Sequence, residues 1–423
     1  MACRTVHSVT ARPAGIAEVR RPLRMNRGQM ATKLQPPGAG GNPPAVPPGL
    51  AEEQRQNVLA PLRIVWTTPN GPGGSGGIDT LTRLVTSAVA GERPRRATIS
   101  CLTTKGRWGI TVGACVFAHA LTRFTLLAWR GDVDLLHINV AAYGSAYRKI
   151  ILARLARWLG VPYIIHIHTG RFGEFWDSAG GYVSAALTSF FAHSSTVIVL
   201  GQPFARMLTR KLSQLEGKVQ ILANTTAQRR ATPPQVARKA HVQITTIGFM
   251  GPNKNTILLI EALKVLDGRT DWYATIAGNG DVAGARACVQ RLGLANRVGL
   301  PGRIDHAAVQ ELLARTDIFV LPSRSEGMPM SILEAHSYGI PVVATPVGAI
   351  VDVVRHEQNG LLVPVNDLQA LVRALRRLLE DGELRRALGA QAARDHSARY
   401  TLQAYIERIS HIWRAATQLR KLG

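Results

Sequence analysis

The stretch that most constrains how this chain can fold is LPSRSEGMPMSILEAHSYGIPVVATPVGA, residues 321–349. It predicts a loop, a helix and a buried strand, in that order. Pro329 suits the first position of the helix, where a missing N–H costs no hydrogen bond. Residues 330–338 are compatible with a helix, and Gly339 ends it. Residues 340–344 form a short apolar run of the kind that makes a buried parallel strand.

The N-terminus of this helix is predicted to bind an anion. Its free N–H groups and the positive end of its dipole point at whatever lies over Gly327–Met330. Glu326 in the loop and Glu334 in the helix flank that position, and a carboxylate accepts hydrogen bonds from hydroxyl groups. The pattern suits a sugar nucleotide, with its diphosphate between its sugar and its ribose. The alternative is a βαβ unit whose two glutamates are only solvated.

The same stretch resembles the donor-site signature of a known family. E-G-x-P, a second Glu eight positions after the first, and the strand Gly-x-Pro-Val-Val-Ala are similar to retaining glycosyltransferases of family 4, which have the GT-B fold. The resemblance runs from about residue 62 to 400 and is strongest between 241 and 365. It implies an α/β protein of two Rossmann-like domains facing across a cleft. The repeated alternation of strands and helices independently predicts parallel sheets.

Length and charge limit the remaining possibilities. The chain has 423 residues, which suits two domains, and a net charge of +24, which indicates an anionic partner. The candidates are nucleic acid, an anionic membrane surface and phosphorylated substrates. No nucleic-acid motif or aromatic stacking platform is recognisable, so nucleic acid is not expected as a partner. Among the four cysteines there is no C-x-x-C pair, so the sequence indicates neither a zinc site nor a disulfide framework, and a reducing cytoplasm fits.

Composition divides the chain into four parts. Residues 1–60 are rich in Arg, Pro and Gly, lack hydrophobic periodicity, and are predicted to be a disordered basic tail. The alternative is that the start codon was chosen too far upstream and that translation begins at Met25 or Met30. Residues 61–230 are predicted to be the acceptor domain and 241–395 the donor domain, joined by a polar linker at 225–240. Residues 396–423 are expected to include a helix that returns to the first domain, as the resemblance implies.

Two segments of the first domain are candidates for the cleft. The resemblance places the glycine-rich loop that contains Gly76 and Gly77 near the phosphates and the acceptor; the alternative is a flexible strand–helix connection. In the strand and loop VPYIIHIHTGRFGEFW, His168 matches a histidine that the family directs into the cleft. His166 is expected to be a buried structural residue. A metal held by these two histidines is disfavoured because no acidic or cysteine ligand lies nearby in the sequence.

The second domain departs from the family at one important position. Lys254 matches the lysine of the segment G-R-L-x-x-x-K-G, which binds the donor diphosphate in the family, but Phe249 occupies the arginine position and Asn255 the final glycine. Arg303 and Arg324 are candidates to replace the missing cation. The alternative for Lys254 is an ordinary surface lysine.

A long apolar segment, 112–129, contains His119 and Arg123, so it is not expected to span a membrane. A helix that buries one face or lies on a membrane surface is expected instead. The apolar segment 112–129 and the basic helix predicted at 147–159 together predict a protein that is cytoplasmic and peripheral on the inner face of the cytoplasmic membrane.

The combined prediction is retaining transfer of a sugar from a nucleotide-diphosphate donor to an acceptor hydroxyl of a lipid-linked or other glycan. No cofactor and no metal are expected. The residues predicted to carry the reaction are His168, Lys254 and Glu326. Those predicted to hold the donor are Gly76, Gly77, Lys254, Arg303, Glu326, Gly327, Met328, Pro329, Met330 and Glu334. The alternatives are a sugar-nucleotide epimerase, a non-catalytic sugar-nucleotide binder and, less favoured, a nucleic-acid-binding protein.

Overall fold

The computed structural model describes most of the chain from residue 60 onward. The described ranges are 60–71, 73–74, 76–93, 95–106, 110–227, 241–268 and 271–418. The predicted tail therefore lies outside the described residues except for its last residue. Most of the predicted linker, residues 228–240, is also outside them, so the exact domain boundaries stay predictions.

The first domain is built on a parallel six-stranded sheet with the strand order β2-β1-β3-β4-β5-β6. Its central strands are buried throughout, as expected when helices cover both faces. The strands are β1 Leu62–Thr68, β2 Ala97–Thr103, β3 Leu135–Val140, β4 Tyr163–Ile167, β5 Thr196–Val199 and β6 Val219–Ile221.

Helices connect these strands in sequence. They are α1 Gly77–Gly91, α2 Ile110–Trp129, α3 Gly144–Trp158, α4 Phe172–Asp177, α5 Gly181–Ala192 and α6 Gln202–Lys211, followed by a 3-10 turn at Ser213–Leu215. The sequence VQILANTT, residues 219–226, predicts a strand, but the observed strand β6 ends at Ile221. The reason is that Asn224, Thr225 and Thr226 direct their side chains to groups further along the chain instead of continuing the sheet.

The second domain repeats this architecture with the strand order β12-β11-β10-β7-β8-β9, again parallel. Its strands are β7 Val242–Ile247, β8 Trp272–Ala277, β9 Val298–Gly302, β10 Ile318–Leu321, β11 Val342–Ala344 and β12 Gly360–Leu362. Its helices are α7 Thr256–Val265, α8 Val282–Arg291, α9 His306–Ala314, α10 Met330–Ser337, α11 Ile350–Val353, α12 Leu368–Glu380 and α13 Gly382–Arg399. Two such sheets confirm the predicted pair of Rossmann-like domains.

The last helix, α14 Leu402–Gln418, packs on the first domain. Its apolar face joins a buried cluster with residues of β1 and α1; the members from α14 are Tyr405, Ile406, Ile409, Ile412, Trp413 and Ala416. Burial of large apolar side chains is the main stabilising term in such docking, about 1.5–3 kcal/mol for each one fully buried.

The carboxyl ends of both sheets meet at the cleft, and glycines let the two backbones touch there. A Cβ on Gly170, which follows β4, would lie 2.1 Å from the carbonyl oxygen of Glu326, which follows β10. A Cβ on Gly327 would lie 2.7 Å from the carbonyl oxygen of His168. Carboxyl ends of parallel strands are where α/β proteins bind ligands, so this contact places the predicted site in the expected region.

Candidate active site

The helix α10 begins and ends almost where the sequence predicts. Pro329, which was expected to be the first residue of the helix, is instead its N-cap, with φ −69° and ψ 122°. The helix itself starts one residue later, at Met330. Tyr338 is the C-cap, and Gly339 adopts the left-handed φ of 69° that glycine tolerates best. The unpaired N–H groups of the first turn therefore face the loop that contains Glu326, Gly327 and Met328.

Lys254 and Glu326 form one ion pair in this loop region. The Lys254 Nζ donates to Glu326 Oε1 at 2.5 Å, and the side chains are only 19% and 10% exposed. Two hydrogen bonds hold their loops together: Arg324 N donates to Asn253 O at 2.8 Å, and Asn253 Nδ2 donates to Ser325 O at 2.9 Å. The structure therefore unites the two charged residues that the sequence assigned separately to the diphosphate and the sugar.

The departure at Asn255 has a conformational explanation. Asn255 is the N-cap of α7 and has a φ of 57°, in the left-handed region. Asparagine is the residue that most readily replaces glycine there, because its short side chain forms local hydrogen bonds. Asn255 Nδ2 donates to Asn366 Oδ1 at 3.0 Å. The backbone that presents Lys254 is therefore formed without the glycine.

The position of the missing arginine is solvent-accessible. The Phe249 side chain is 60% exposed, and its ring lies beside Gly251 and Gly280. Arg324, a candidate to replace the missing arginine, donates from Nε to Asn366 Oδ1 at 2.9 Å. Its side chain therefore holds the loop. Arg303 follows β9 and is exposed, without a hydrogen bond or ion pair among the described residues. Neither arginine is joined to the Lys254–Glu326 pair by a side-chain contact in the described part of the chain.

His168 lies on the opposite wall and is held as a neutral imidazole. Asn139 Nδ2 donates to Thr67 O at 2.6 Å, which fixes the amide so that Asn139 Oδ1 faces His168 Nε2 at 2.8 Å. His168 Nε2 is therefore the donor, and Nδ1 keeps its lone pair. Burial lowers the pKa of His168 to about 3. The ring can accept a hydrogen bond from a hydroxyl but carries no charge near neutral pH.

The glycine-rich loop contacts the start of α10. Gly76 is the N-cap of α1, and a Cβ on Gly77 would lie 4.0 Å from Met330 Cγ. The buried Asp79 fixes the loop because it accepts from Thr68 Oγ1 at 2.5 Å and from Asn70 Nδ2 at 3.1 Å. The sequence analysis did not assign this role to Asp79. The signal that could have predicted it is an acidic residue in the first turn of a helix that follows a glycine-rich loop.

Glu334 lies on α10 and lines a cavity of about 60 Å³ between the two domains. Burial raises the pKa of this carboxyl group. The cavity is also lined by Thr80 and Arg83 of α1, Thr226 of the linker, His306 of α9, and Tyr338 at the end of α10. Its volume is much smaller than the roughly 300–1,000 Å³ of typical ligand sites. A nucleotide can therefore enter it only when the domains separate or these side chains move.

A hydrogen bond between the two domains fixes Met328. Asn224, which follows β6, donates from Nδ2 to Met328 O at 2.9 Å and is buried. Within the described ranges, no group of three or more His, Cys, Asp or Glu residues could hold a metal ion. The structure thus brings together six residues of the two domains: His168, Lys254, Glu326, Gly327, Met328 and Asn224. Gly77 lies against Met330, and Glu334 lines a neighbouring cavity. Arg303 lies outside these contacts.

Comparison with known proteins bears directly on this site. Residues 229–395, which contain Lys254, Glu326 and Glu334, match the family model described as glycosyl transferases group 1. Alpha-D-kanosaminyltransferase of Streptomyces kanamyceticus is 26% identical over 281 residues, which are 62% of this chain and 72% of that protein. The UDP-Gal:alpha-D-GlcNAc-diphosphoundecaprenol alpha-1,3-galactosyltransferase of Escherichia coli is 28% identical over 267 residues, 59% of this chain and 67% of that protein.

Solved structures share the whole two-domain fold. Sucrose-phosphate synthase from Thermosynechococcus elongatus superposes with a TM-score of 0.70 at 18% identity, covering 86% of this chain and all of that one. Anabaena HepE in complex with UDP and glucose gives a TM-score of 0.65 at 18% identity, covering 83% and 99%. The two facing Rossmann-like domains and the matched segment define a glycosyltransferase with the GT-B fold. The matched segment, residues 229–395, is less than half of the chain, and it is this segment that resembles the group 1 glycosyl transferases.

Proposed function

We propose that this glycosyltransferase moves a sugar from a nucleotide-diphosphate donor to a hydroxyl group of a lipid-linked glycan, with retention of configuration, as in family 4. The observation that carries the proposal is the Lys254–Glu326 pair at 2.5 Å beside the first turn of α10. A cation, free backbone N–H groups and a carboxylate meet there, which suits a diphosphate attached to a polyhydroxylated sugar.

In this mechanism, the residues act by positioning and by electrostatic stabilisation. Lys254 and the first amide groups of α10 stabilise the negative charge on the leaving diphosphate, without a metal ion. Glu326 accepts hydrogen bonds from the sugar hydroxyls, and Glu334 does so from the ribose. His168, on the opposite wall, orients the sugar or the acceptor hydroxyl through its Nδ1 lone pair.

The reaction in this proposal is a front-face displacement. The bond between the anomeric carbon and the phosphate oxygen breaks while the acceptor oxygen bonds to the same face of that carbon. The acceptor proton passes to the departing phosphate oxygen, so no protein base is consumed. Glu326 is already bonded to Lys254, which favours this route over attack by a protein carboxylate of the kind that retaining glycosidases use.

The acceptor class is supported by the names of relatives. The name of the Escherichia coli relative gives alpha-D-GlcNAc-diphosphoundecaprenol as its acceptor, and a 29% identical relative from Rhizobium meliloti is a lipopolysaccharide core biosynthesis mannosyltransferase. A lipid-linked acceptor would be presented at a membrane. Polysaccharide biosynthesis is therefore the role that we propose.

A face of the first domain suits an anionic membrane surface. The helix α2 is long and apolar enough to cross a membrane by length and composition alone, and only 11% of its apolar window is buried. Trp129 at its end is 81% exposed, and Trp158 at the end of α3 is 80% exposed, with Arg154 and Arg157 alongside. Exposed tryptophans beside arginines are typical of surfaces that lie in the interfacial region of a bilayer. We propose that the protein is peripheral on the inner face of the cytoplasmic membrane.

The donor reaction is tested by nucleotide release from a panel of sugar nucleotides, with and without a lipid-linked glycan acceptor. Proton NMR of the product then reports the anomeric configuration. We expect release that depends on the acceptor and a product with the anomeric configuration of the donor. Release that is independent of any acceptor would indicate an epimerase, and binding of the donor without release would indicate a non-catalytic binder.

The membrane contact is tested by flotation of the full chain with vesicles that contain phosphatidylglycerol. We expect binding that weakens with salt, because each well-placed Arg or Lys contributes about 1 kcal/mol. Trp129→Ala combined with Trp158→Ala should reduce binding severalfold. The matched control is Tyr182→Ala, since Tyr182 is also 80% exposed but lies on α5. Equal binding to neutral vesicles would contradict this surface.

A further inference from the structure

A line of buried aromatic side chains crosses the first-domain sheet from the last helix to the cleft. Trp413 Nε1, on α14, donates to His137 Nδ1 on β3 at 3.0 Å. His137 Nε2 lies 3.3 Å from His166 Nδ1 on β4. The rings of His166 and His168 have centroids 4.0 Å apart with an angle of 38° between their planes. The helix that returns to the first domain therefore reaches the histidine at the cleft through two other histidines.

The geometry fixes the proton positions along this line. An indole N–H can only donate, so His137 Nδ1 must accept and His137 must carry its proton on Nε2. That proton is then donated to His166 Nδ1, which leaves the His166 proton on Nε2. Burial lowers the pKa values of His137 and His166 well below the usual range, so both rings are neutral. One indole N–H thus sets the tautomers of two histidines.

The line costs stability. His166 Nε2 is buried and has no hydrogen-bond partner among the described residues. An unpaired buried polar group costs about 1–3 kcal/mol, whereas apolar residues of similar shape would avoid that cost. The centroid of the Trp66 ring lies 3.9 Å from that of the His137 ring, so an apolar side chain in place of His137 would pack against Trp66. Stability alone does not account for the line.

We propose that Trp413 and His137 are positioning residues for His168. The hydrogen bond from Trp413 fixes the plane of His137, His137 fixes His166, and the His166 ring supports one face of His168. His168 Nε2 is held separately by Asn139, so the line determines the tilt of the ring and the direction of the Nδ1 lone pair. This inference rests on the proposed function, in which that lone pair contacts the sugar or the acceptor.

The line also links the site to the docking of α14. Trp413 is fully buried in the cluster that joins α14 to β1 and α1. The indole reaches His137 only when the helix is docked. Correct docking of α14, the last helix of the described residues, is thereby a condition for the orientation of His168 in the first domain.

The test compares two buried tryptophans in the full-length enzyme. Trp413→Phe keeps an aromatic ring but removes the donor to His137. Trp66→Phe is the matched control, because Trp66 is equally buried, touches the same His137 ring, and donates its N–H to Thr82 Oγ1 at 2.9 Å instead. We expect Trp413→Phe to lower kcat about tenfold with little change in the donor KM, and Trp66→Phe to change kcat less than threefold.

Conservative replacement of His137 gives a second test that does not depend on tryptophan. A glutamine side chain at this position can accept from Trp413 and donate to His166, whereas a leucine side chain can do neither. His137→Leu should lose about tenfold in kcat, and His137→Gln should restore most of it. Nitrogen-15 chemical shifts of the histidine rings should show altered tautomers in Trp413→Phe and unchanged ones in Trp66→Phe.

The failure of this inference differs from the failure of the proposed function. If His168→Ala has full transfer activity, the role of His168 in the proposed function is wrong. If His168→Ala is impaired while Trp413→Phe equals Trp66→Phe, or His137→Leu equals His137→Gln, the positioning role is wrong and the proposed function stands. In the His168→Ala background, adding Trp413→Phe should cause no further loss of kcat, and an additional tenfold loss would overturn the proposal.

Discussion

Lys254 Nζ and Glu326 Oε1 are 2.5 Å apart, so the cation for the diphosphate and the carboxylate for the sugar are bonded to each other. The two residues are separated by 72 positions in the chain and lie in loops that follow β7 and β10. Removing either one leaves the other charge partly buried without its partner, which is more costly than removing both. Their effects on catalysis should therefore not be additive.

We expect Lys254→Ala to lower the transfer rate about a hundred- to a thousandfold, because one donor to a developing negative charge is worth about 2.7–4 kcal/mol. Glu326→Gln should also reduce the rate sharply, and the double variant should be little worse than Lys254→Ala. Steady-state kinetics with circular dichroism for folding measures this. The control is Lys264→Ala, which breaks the exposed pair between Lys264 and Asp267 at the end of α7. Full activity of Lys254→Ala would mean that the diphosphate binds elsewhere.

Phe249→Arg tests whether the site lacks a cation. The side chain at 249 is 60% exposed, so an arginine fits without repacking a core. If the wild-type site under-stabilises the leaving group, the rate should rise about tenfold or more, because a hydrogen bond to a charged group is worth about 1.5–3 kcal/mol. Val265→Arg adds the same charge at an exposed apolar position of α7 and should have no effect.

The two arginines near this position complete that test. An unchanged rate in Phe249→Arg, combined with a large loss in either Arg303→Ala or Arg324→Ala, would identify the substitute cation. Because Arg324 is bonded to Asn366, its loss should also loosen the loop that holds Lys254. Arg303 has no such structural bond within the described residues, so any loss in Arg303→Ala would come from the ligand itself.

Glu334→Gln should mainly weaken donor binding. If Glu334 accepts from the ribose hydroxyls, the donor KM should rise about tenfold or more, because a hydrogen bond to a charged group is worth about 1.5–3 kcal/mol. A donor with 2′,3′-dideoxyribose should bind wild type and Glu334→Gln with similar affinity. Isothermal titration with both donors measures this. The exposed Glu311, on α9, supplies the control variant Glu311→Gln. Discrimination against the dideoxy donor that persists in Glu334→Gln would contradict the ribose assignment.

Local sequence signals were sufficient for the elements around the site. An apolar run identified β11, and Pro329 and Gly339 marked the limits of α10 to within one residue, because proline and glycine act through the backbone at short range. The helix α5 gave no such signal, since its sequence GYVSAALTSFFA is apolar on all sides and has no helical period.

Contacts between distant parts of the chain were beyond sequence reasoning. The pair between Lys254 and Glu326 depends on β10 lying beside β7 in the second sheet. The bond from Trp413 to His137, which spans 276 positions, depends on where α14 docks on the first sheet. The error at β6 has the same origin: Asn224 bonds to Met328 across the cleft, and this interdomain contact prevailed over the local preference for a strand.

Acid should destabilise this protein through its buried neutral histidines. Burial lowers the pKa of His336 to about 3 and that of His396 to about 4, below the ordinary value of 6.5 that they regain on unfolding. The unfolded state therefore binds more protons, so stability is complete above about pH 6.5 and is lost as the pH falls toward 3–4. Each such histidine contributes a slope of up to about 1.36 kcal/mol per pH unit in that window.

Urea unfolding at pH 7.5 and at pH 5.5 checks this dependence. Both ring nitrogens of His336 are buried without partners among the described residues, so His336→Met should lower the pH sensitivity without a large loss at pH 7.5. His411→Gln, at an exposed position of α14, is the control and should leave the sensitivity unchanged. Equal pH sensitivity of His336→Met and wild type would contradict the assignment.

Gly170→Ala should impair catalysis by separating the two walls of the cleft. The added Cβ would lie 2.1 Å from the carbonyl oxygen of Glu326 and 2.9 Å from Ser325 Oγ. A backbone oxygen cannot rotate away like a long side chain, so the loop that carries His168 must move away from the loop that carries Glu326. A displacement of about 1 Å between catalytic groups can cost about a hundredfold in rate.

Gly181→Ala is the matched control, because Gly181 begins a helix of the same domain and a Cβ there meets nothing within 4 Å. We expect a loss of kcat in Gly170→Ala with little change in melting temperature, and small-angle scattering should show a larger radius of gyration than for Gly181→Ala. Equal rates in the two variants would show that the close approach of the backbones is not needed for transfer.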